Sequence, residues 1–126
     1  MKEILIIEDD AVMQHLLRSL FTDAGFKVKS IMDGKYIKRE TLSDSDLIIV
    51  DMMIPHIYES ADLINLYSGQ HSPIIVISSI DVDDGLYFKR KINAEAFFSK
   101  PINPSELLKE VKFHLNHHEN EQLAAS

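Results

Sequence analysis

The chain has 126 residues, 45% of them hydrophobic and 26% charged, which fits one globular domain able to bury a core without cross-links. It contains no cysteine, so disulfide frameworks and thiol chemistry are excluded. A net charge of −7 argues against direct nucleic-acid binding, which needs a basic face, and no apolar stretch is long enough to span a membrane. The N-terminus runs into the acids Glu8, Asp9 and Asp10 and does not look like a signal peptide, so the cytoplasm is the expected location.

Residues 2–7 read as a fully buried strand that ends in Glu8-Asp9-Asp10. A helix is predicted over 10–24, with Met13, Leu16, Leu17, Leu20 and Ala24 at helical spacing and Gly25 as the stop. Residues 26–31 form a second strand with partial alternation, followed by a turn at Asp33-Gly34. A short helix over 35–42 and a polar loop lead to a central strand over 46–51, which ends in Asp51. A helix is predicted over 59–68, with Leu63, Ile64 and Tyr67 on one side. Residues 74–78 are another buried strand, ending in Ser78-Ser79. A helix with a thin apolar face follows over 83–92, then a short last strand over 96–98. Asn103-Pro104-Ser105-Glu106 is a strong helix start: Asn can cap, Pro suits the first helical position and Glu can reach back. Leu107, Leu108, Val111 and Leu115 continue that helix as a stripe, and 119–126 read as a frayed tail after a domain over 1–118.

The alternation is βαβαβαβαβα. It predicts an α/β fold, a doubly wound five-stranded parallel sheet with five helices. Uninterrupted apolar strands agree, because helices then cover both faces. In such a sheet, ligands bind outside the carboxyl ends of the strands. Glu8, Asp9, Asp51, Ser78 and Lys100 all stand where a strand stops, so this fold gathers them. Three clustered carboxylates repel unless a cation neutralises them. Oxygen donors with no histidine or cysteine beside them suit Mg²⁺. Asp9 and Asp51 are the expected direct ligands, with the Met53 backbone carbonyl as a third and Glu8 acting through water. Lys100 precedes a proline, which favours extended backbone and would aim its ammonium inward at Asp51 or at an incoming anion. Ser78 offers a hydroxyl to an added oxyanion, and Ser79 is small enough to leave the site open. Taken singly, acids after a strand are commonly solvated helix N-termini, and a lone Ser or Lys is commonly plain surface. All of them at strand ends together is a poor coincidence.

With those residues in place, the chain resembles the receiver domain of two-component response regulators from about residue 2 to 118. The motifs that carry the resemblance are Ile-Leu-Ile-Ile-Glu-Asp-Asp (4–10), Asp-Leu-Ile-Ile-Val-Asp-Met-Met-Ile-Pro (46–55), Pro-Ile-Ile-Val-Ile-Ser-Ser (73–79) and Phe-Phe-Ser-Lys-Pro-Ile (97–102). Each is weak alone; their order and spacing together are specific. The resemblance implies the flavodoxin-like strand order 2-1-3-4-5. It implies that Asp51 accepts a phosphoryl group from a sensor histidine kinase or a histidine phosphotransfer protein. Asp9 matches the main metal-binding acid and Glu8 its partner, Lys100 the lysine that contacts the phosphoryl group, Ser78 the switch hydroxyl, and Phe97 the aromatic that repacks with it. The switched surface would then engage a downstream effector protein. Mg²⁺-dependent self-phosphorylation and self-dephosphorylation are expected. The approach of water to the acyl phosphate would be lined by Met53 and Ile80, both apolar, so a long-lived phosphoryl group is expected.

The chain departs from the family pattern at Phe97, where Tyr is common, at Glu59 and Asn93, where Gly is usual, and at Lys89 and Arg90, which are usually small or apolar. Lys89-Arg90-Lys91 reads as a solvated basic helix face, and His114, His117 and His118 as a solvated helix end. One alternative reading is the receiver of a DNA-binding transcriptional regulator without its output domain. Another is an aspartyl-phosphate phosphatase, which would want a second acid where Met53 stands. A flavin binder is a poor match, because Glu8-Asp9-Asp10 would repel a phosphate.

Overall fold

Three strands are nearly unbroken apolar runs, and they build the interior of one parallel sheet. The computed structural model describes residues 1–52, 67, 71–79 and 81–125. Its elements are β1 (Glu3–Ile7), α1 (Ala11–Asp23), β2 (Lys27–Ile31), a 3₁₀ turn (Gly34–Tyr36), α2 (Arg39–Ser43), β3 (Leu47–Asp51), β4 (Ile74–Ser78), α3 (Val82–Lys91), β5 (Ala96–Ser99) and α4 (Pro104–Ala125). The sheet has five strands in the order β2-β1-β3-β4-β5, every neighbour parallel. The expected fold class and strand order are both present. The helix predicted over 59–68 lies outside the described residues, except Tyr67, which is helical and fully buried. Among the described residues there are therefore four α-helices where the sequence predicts five.

Strand side chains alternate between two cores, as a pleated sheet requires. Ile4, Ile6, Leu47, Ile49, Ile75 and Ile77 pack against Leu17 and Phe21 of α1 and Leu107 and Val111 of α4. Leu5, Ile7, Ile48, Val50, Ile74 and Val76 pack on the other face with Leu42, Tyr67 and Ile92. β1, β3 and β4 are buried throughout, while β2 and β5 are the edges. The exposed Lys27 and Lys29 of edge strand β2 pair with Glu3, and such charges discourage edge-to-edge association.

The capping chemistry is as the residue types suggest. Asp10 caps α1 by accepting from the Val12 N–H at 3.1 Å. Asn103 accepts from the amides of Ser105 and Glu106, which fixes the start of α4 just after Lys100. Asn93 carries φ +57°, the left-handed conformation that Asn tolerates in place of Gly. Two expectations change. Leu17 of the expected α1 stripe is in the core and Met13 and Leu20 pack against it, but Leu16 is exposed, and Gln14 and Phe21 are buried beside them. Helix α4 continues to Ala125, past the 118/119 boundary where a frayed tail is expected. Glu, Gln, Leu and Ala are good helix formers, and no Gly or Pro interrupts them.

Helix α3 buries one residue, Gly85, and the ring of Phe97 from β5 lies against it. A methyl group on Gly85 would overlap ring atoms Cζ, Cε2 and Cε1 of Phe97. The glycine therefore lets the helix approach the edge strand that leads into Lys100. Helix propensity alone makes Gly85→Ala a gain of about 1 kcal/mol; the occupied space argues for a loss. We expect Gly85→Ala to lower stability in the wild type and to raise it in a Phe97→Ala background, measured by denaturant unfolding. The same sign in both backgrounds would show that ring and helix are uncoupled.

Candidate functional site

The strand order 2-1-3-4-5 places its topological switch between β1 and β3, the point where open α/β sheets bind ligands. Glu8 and Asp9 follow β1 directly, and Asp51 is the last residue of β3. These three residues offer carboxylate oxygens that all lie within 4.8 Å of one another. Glu8 and Asp51 are buried and Asp9 is exposed, so the group has a buried floor and an open side. Among the described residues it is the one cluster of acids and histidines able to hold a metal ion.

Lys100 reaches the cluster from the end of β5. Its Nζ donates to Glu8 Oε2 and to Asp51 Oδ2, each at 2.9 Å. Backbone geometry brings it there, since the Lys100 N–H donates to the Ser78 carbonyl at 2.9 Å and continues the β4–β5 pairing. The Lys100–Pro101 peptide is cis. Ser78 is fully buried and stands one residue beyond Ile77, the register partner of Asp51. Ser79 is exposed, as expected for an open rim. Met53, the expected third metal ligand, and Ile80 lie outside the described residues.

Burial is the main influence on Glu8, and with the nearby Asp51 charge it pushes the carboxyl from 4.5 up to about 7. The Lys100 ammonium and the Asp10 N–H act the other way without cancelling it. Burial works against the Lys100 charge, but the hydrogen bonds to Glu8 and Asp51 outweigh it and hold its pKa above the ordinary lysine value. One ammonium faces three carboxylates, so the fully ionised cluster keeps an excess negative charge. Hard oxygen donors with that excess fit a small divalent cation better than a soft transition metal.

The structure thus brings Glu8, Asp9, Asp51 and Lys100 together, with Ser78 at the adjoining strand end. Two contributors are absent from the sequence reading. Gln14 is a polar residue on the core face of α1, hidden because an apolar pattern passes over a polar side chain. Gly85 supports Phe97, and its signal is a glycine inside a helix. The histidine reading also changes, because His114 is not solvated: its ring is largely buried and Nε2 lies 2.9 Å from Glu110. The basic run ends α3, where its charges favour the helix dipole, and Lys91 lies 5.5 Å from the Tyr87 ring.

A family model described as the response regulator receiver domain matches residues 4–112. Among curated proteins, the chain is 27% identical over 114 residues to the regulatory protein VirG of Agrobacterium fabrum, covering 89% of this chain and 45% of that protein. It is 26% identical over 130 residues to SphR, the alkaline phosphatase synthesis transcriptional regulatory protein of Synechococcus elongatus, covering 94% and 50%. The chain thus spans about half the length of these relatives. Among solved structures, the signal receiver domain of a protein described as a Luxo repressor, from Vibrio parahaemolyticus, superposes with a TM-score of 0.83 at 26% identity, covering 99% of this chain and 98% of that one. A CheY-like receiver domain protein from Methanospirillum hungatei gives 0.81 at 20% identity, covering 96% and 98%, which supports the fold.

The Glu8 carboxyl makes a directional prediction for the metal-free protein. Its folded pKa is raised, so its stabilising contribution is full below the ordinary 4.5 and is lost as pH rises through about 7. The stability difference between wild type and Glu8→Gln should therefore fall across that window and level off above it, measured by denaturant unfolding without divalent cations. Parallel pH curves for the two proteins would contradict the assignment.

Proposed function

The chain belongs to the response regulator receiver family, and from that premise we propose that Asp51 is its phosphoacceptor, served by Glu8, Asp9, Ser78 and Lys100. The observation that carries the reading is Asp51 itself: nearly buried, at the end of the central strand, with Lys100 at 2.9 Å and two further carboxylates beside it. An oxygen of Asp51 attacks the phosphorus of a phosphohistidine on a histidine kinase or phosphotransfer protein. The P–O bond forms, the P–N bond breaks, and the histidine nitrogen leaves with the electron pair and takes up a proton. The product on this chain is an acyl phosphate. Phosphoryl transfer of this kind rests on positioning and on charge stabilisation.

Lys100 already lies against Asp51 and can hold an oxygen of the arriving phosphoryl group by charge. Glu8, Asp9 and Asp51, with the Met53 carbonyl, are the groups that would hold Mg²⁺; bound there, the ion neutralises phosphoryl charge. Ser78 donates its hydroxyl to the new oxyanion. Phe97, resting on Gly85 at the next strand, follows that movement and changes the α3–β5 face read by an effector protein. Slow decay of the acyl phosphate remains part of the proposal and rests on Met53 and Ile80. The second reading, a receiver serving a transcriptional regulator, is favoured by SphR, whose name assigns it that role and whose length is about twice the matched part. A phosphatase of the aspartyl-phosphate type is disfavoured by Met53 at the position of the second acid.

The test is incubation with a small phosphodonor and Mg²⁺ followed by mass measurement. Wild type should gain one phosphoryl group, and Asp51→Asn should gain none at that position. Labelling of Asp51→Asn at the wild-type rate would overturn the assignment.

A further inference from the structure

A buried glutamine holds the backbone of Glu8, the first of the two acids after β1. Gln14 is 4% exposed on the core face of α1, in line with Leu17 and Phe21. Its Nε2 donates to the Glu8 carbonyl at 3.1 Å and the Ile6 carbonyl at 3.2 Å, and a longer 3.5 Å contact reaches the Ile31 carbonyl. These carbonyls lie where β1 and β2 end. Three acceptors around one nitrogen fix which end of the amide faces them. The other end, Oε1, is buried with no partner among the described residues. A buried orphan acceptor costs about 1–3 kcal/mol, a cost that an apolar side chain on this face would avoid. The side chain serves this position through its N–H donors.

Those donors complete the anchoring of Glu8. Its N–H donates to the Ile31 carbonyl at 3.0 Å, and its own carbonyl accepts from Gln14. Its Oε1 accepts from the Asp10 N–H at 3.1 Å and its Oε2 from Lys100 at 2.9 Å. The Gln14 N–H in turn donates to the Asp10 carbonyl at 2.9 Å, so helix and loop are tied at both ends. We propose that Gln14 is a positioning residue for the cation: its side-chain amide pins the backbone of Glu8 and so presets the Glu8–Asp9 carboxylates against Asp51. The inference rests on the proposed cation role of that cluster. Outer groups that orient metal ligands commonly govern affinity as strongly as some ligands do.

The test compares Gln14→Met, which keeps the shape and removes the donors, with Leu17→Val, which loosens the same helix face and leaves the carbonyls satisfied. Mg²⁺ affinity is read by titration, and exchange of the Glu8 and Asp10 amides by NMR in metal-free buffer. Gln14→Met should bind Mg²⁺ about tenfold more weakly and exchange those amides faster; Leu17→Val should lose stability with both readouts at wild-type values. If Gln14→Met does not fold, Gln14→Asn, one methylene short of the carbonyls, takes its place with the same expected direction. Unchanged affinity in the Gln14 variant, or equal weakening in Leu17→Val, overturns the positioning role. A wild type that ignores Mg²⁺ overturns the cation reading, and with it the role of Gln14 in presetting that site, even if the amides still exchange faster.

Discussion

Three carboxylates meet at the mouth of the sheet, and one ammonium, Lys100, is shared between the two that are buried. Like charges a few ångströms apart repel by several kcal/mol at an effective dielectric near 20, on the order of 332/(εr). A single lysine offsets part of that repulsion. The remainder is relieved by a proton on Glu8, by a divalent cation, or by both in exchange. Burial is the main cause of the raised Glu8 pKa, and the Asp51 charge adds to it; the same crowding of carboxylates underlies the predicted affinity for a cation.

The fold makes this arrangement possible by fixing the backbone and leaving the charges little freedom to separate. Asp51 ends a strand buried on both faces, so it cannot swing away without breaking the ladder to β1 and β4. Glu8 is held through four polar atoms, one of them by Gln14. Lys100 is placed by the pairing of β5 with β4. On the proposed reading, phosphorylation of Asp51 would add negative charge to a cluster that already carries an excess, and Lys100 and Ser78 would be the groups to respond.

Much of this was legible in the residues. Fully buried parallel strands leave unbroken apolar runs, and residues 74–78 coincide with β4 at both ends. The acids, Ser78 and Lys100 announce themselves by standing where those runs stop. The chain's departure from the family pattern at Asn93 was also readable, because Asn accepts the left-handed backbone found there. What stayed hidden depends on tertiary contact. The Glu8–Lys100 pair joins residues 92 apart in sequence, and nothing local names it. The inward face of α1 carries a glutamine that satisfies strand carbonyls, a polar residue that the apolar pattern does not mark as core. The role of Gly85 shows only when the ring of Phe97 is seen against it. Helix α2 is shorter than its sequence pattern, since part of that stretch is a 3₁₀ turn at Gly34–Tyr36.

The central claim is that the excess charge of Glu8, Asp9 and Asp51 is the binding site of a divalent cation. Its most direct test is the unfolding midpoint as a function of Mg²⁺ for wild type and Asp9→Ala. A ligand that binds only the native state raises stability with its concentration. Wild type should gain stability with Mg²⁺. Asp9→Ala should start higher in metal-free buffer, because one repelling charge is gone, and should then show no response. An identical Mg²⁺ response in the two proteins, or none in the wild type, would contradict the account.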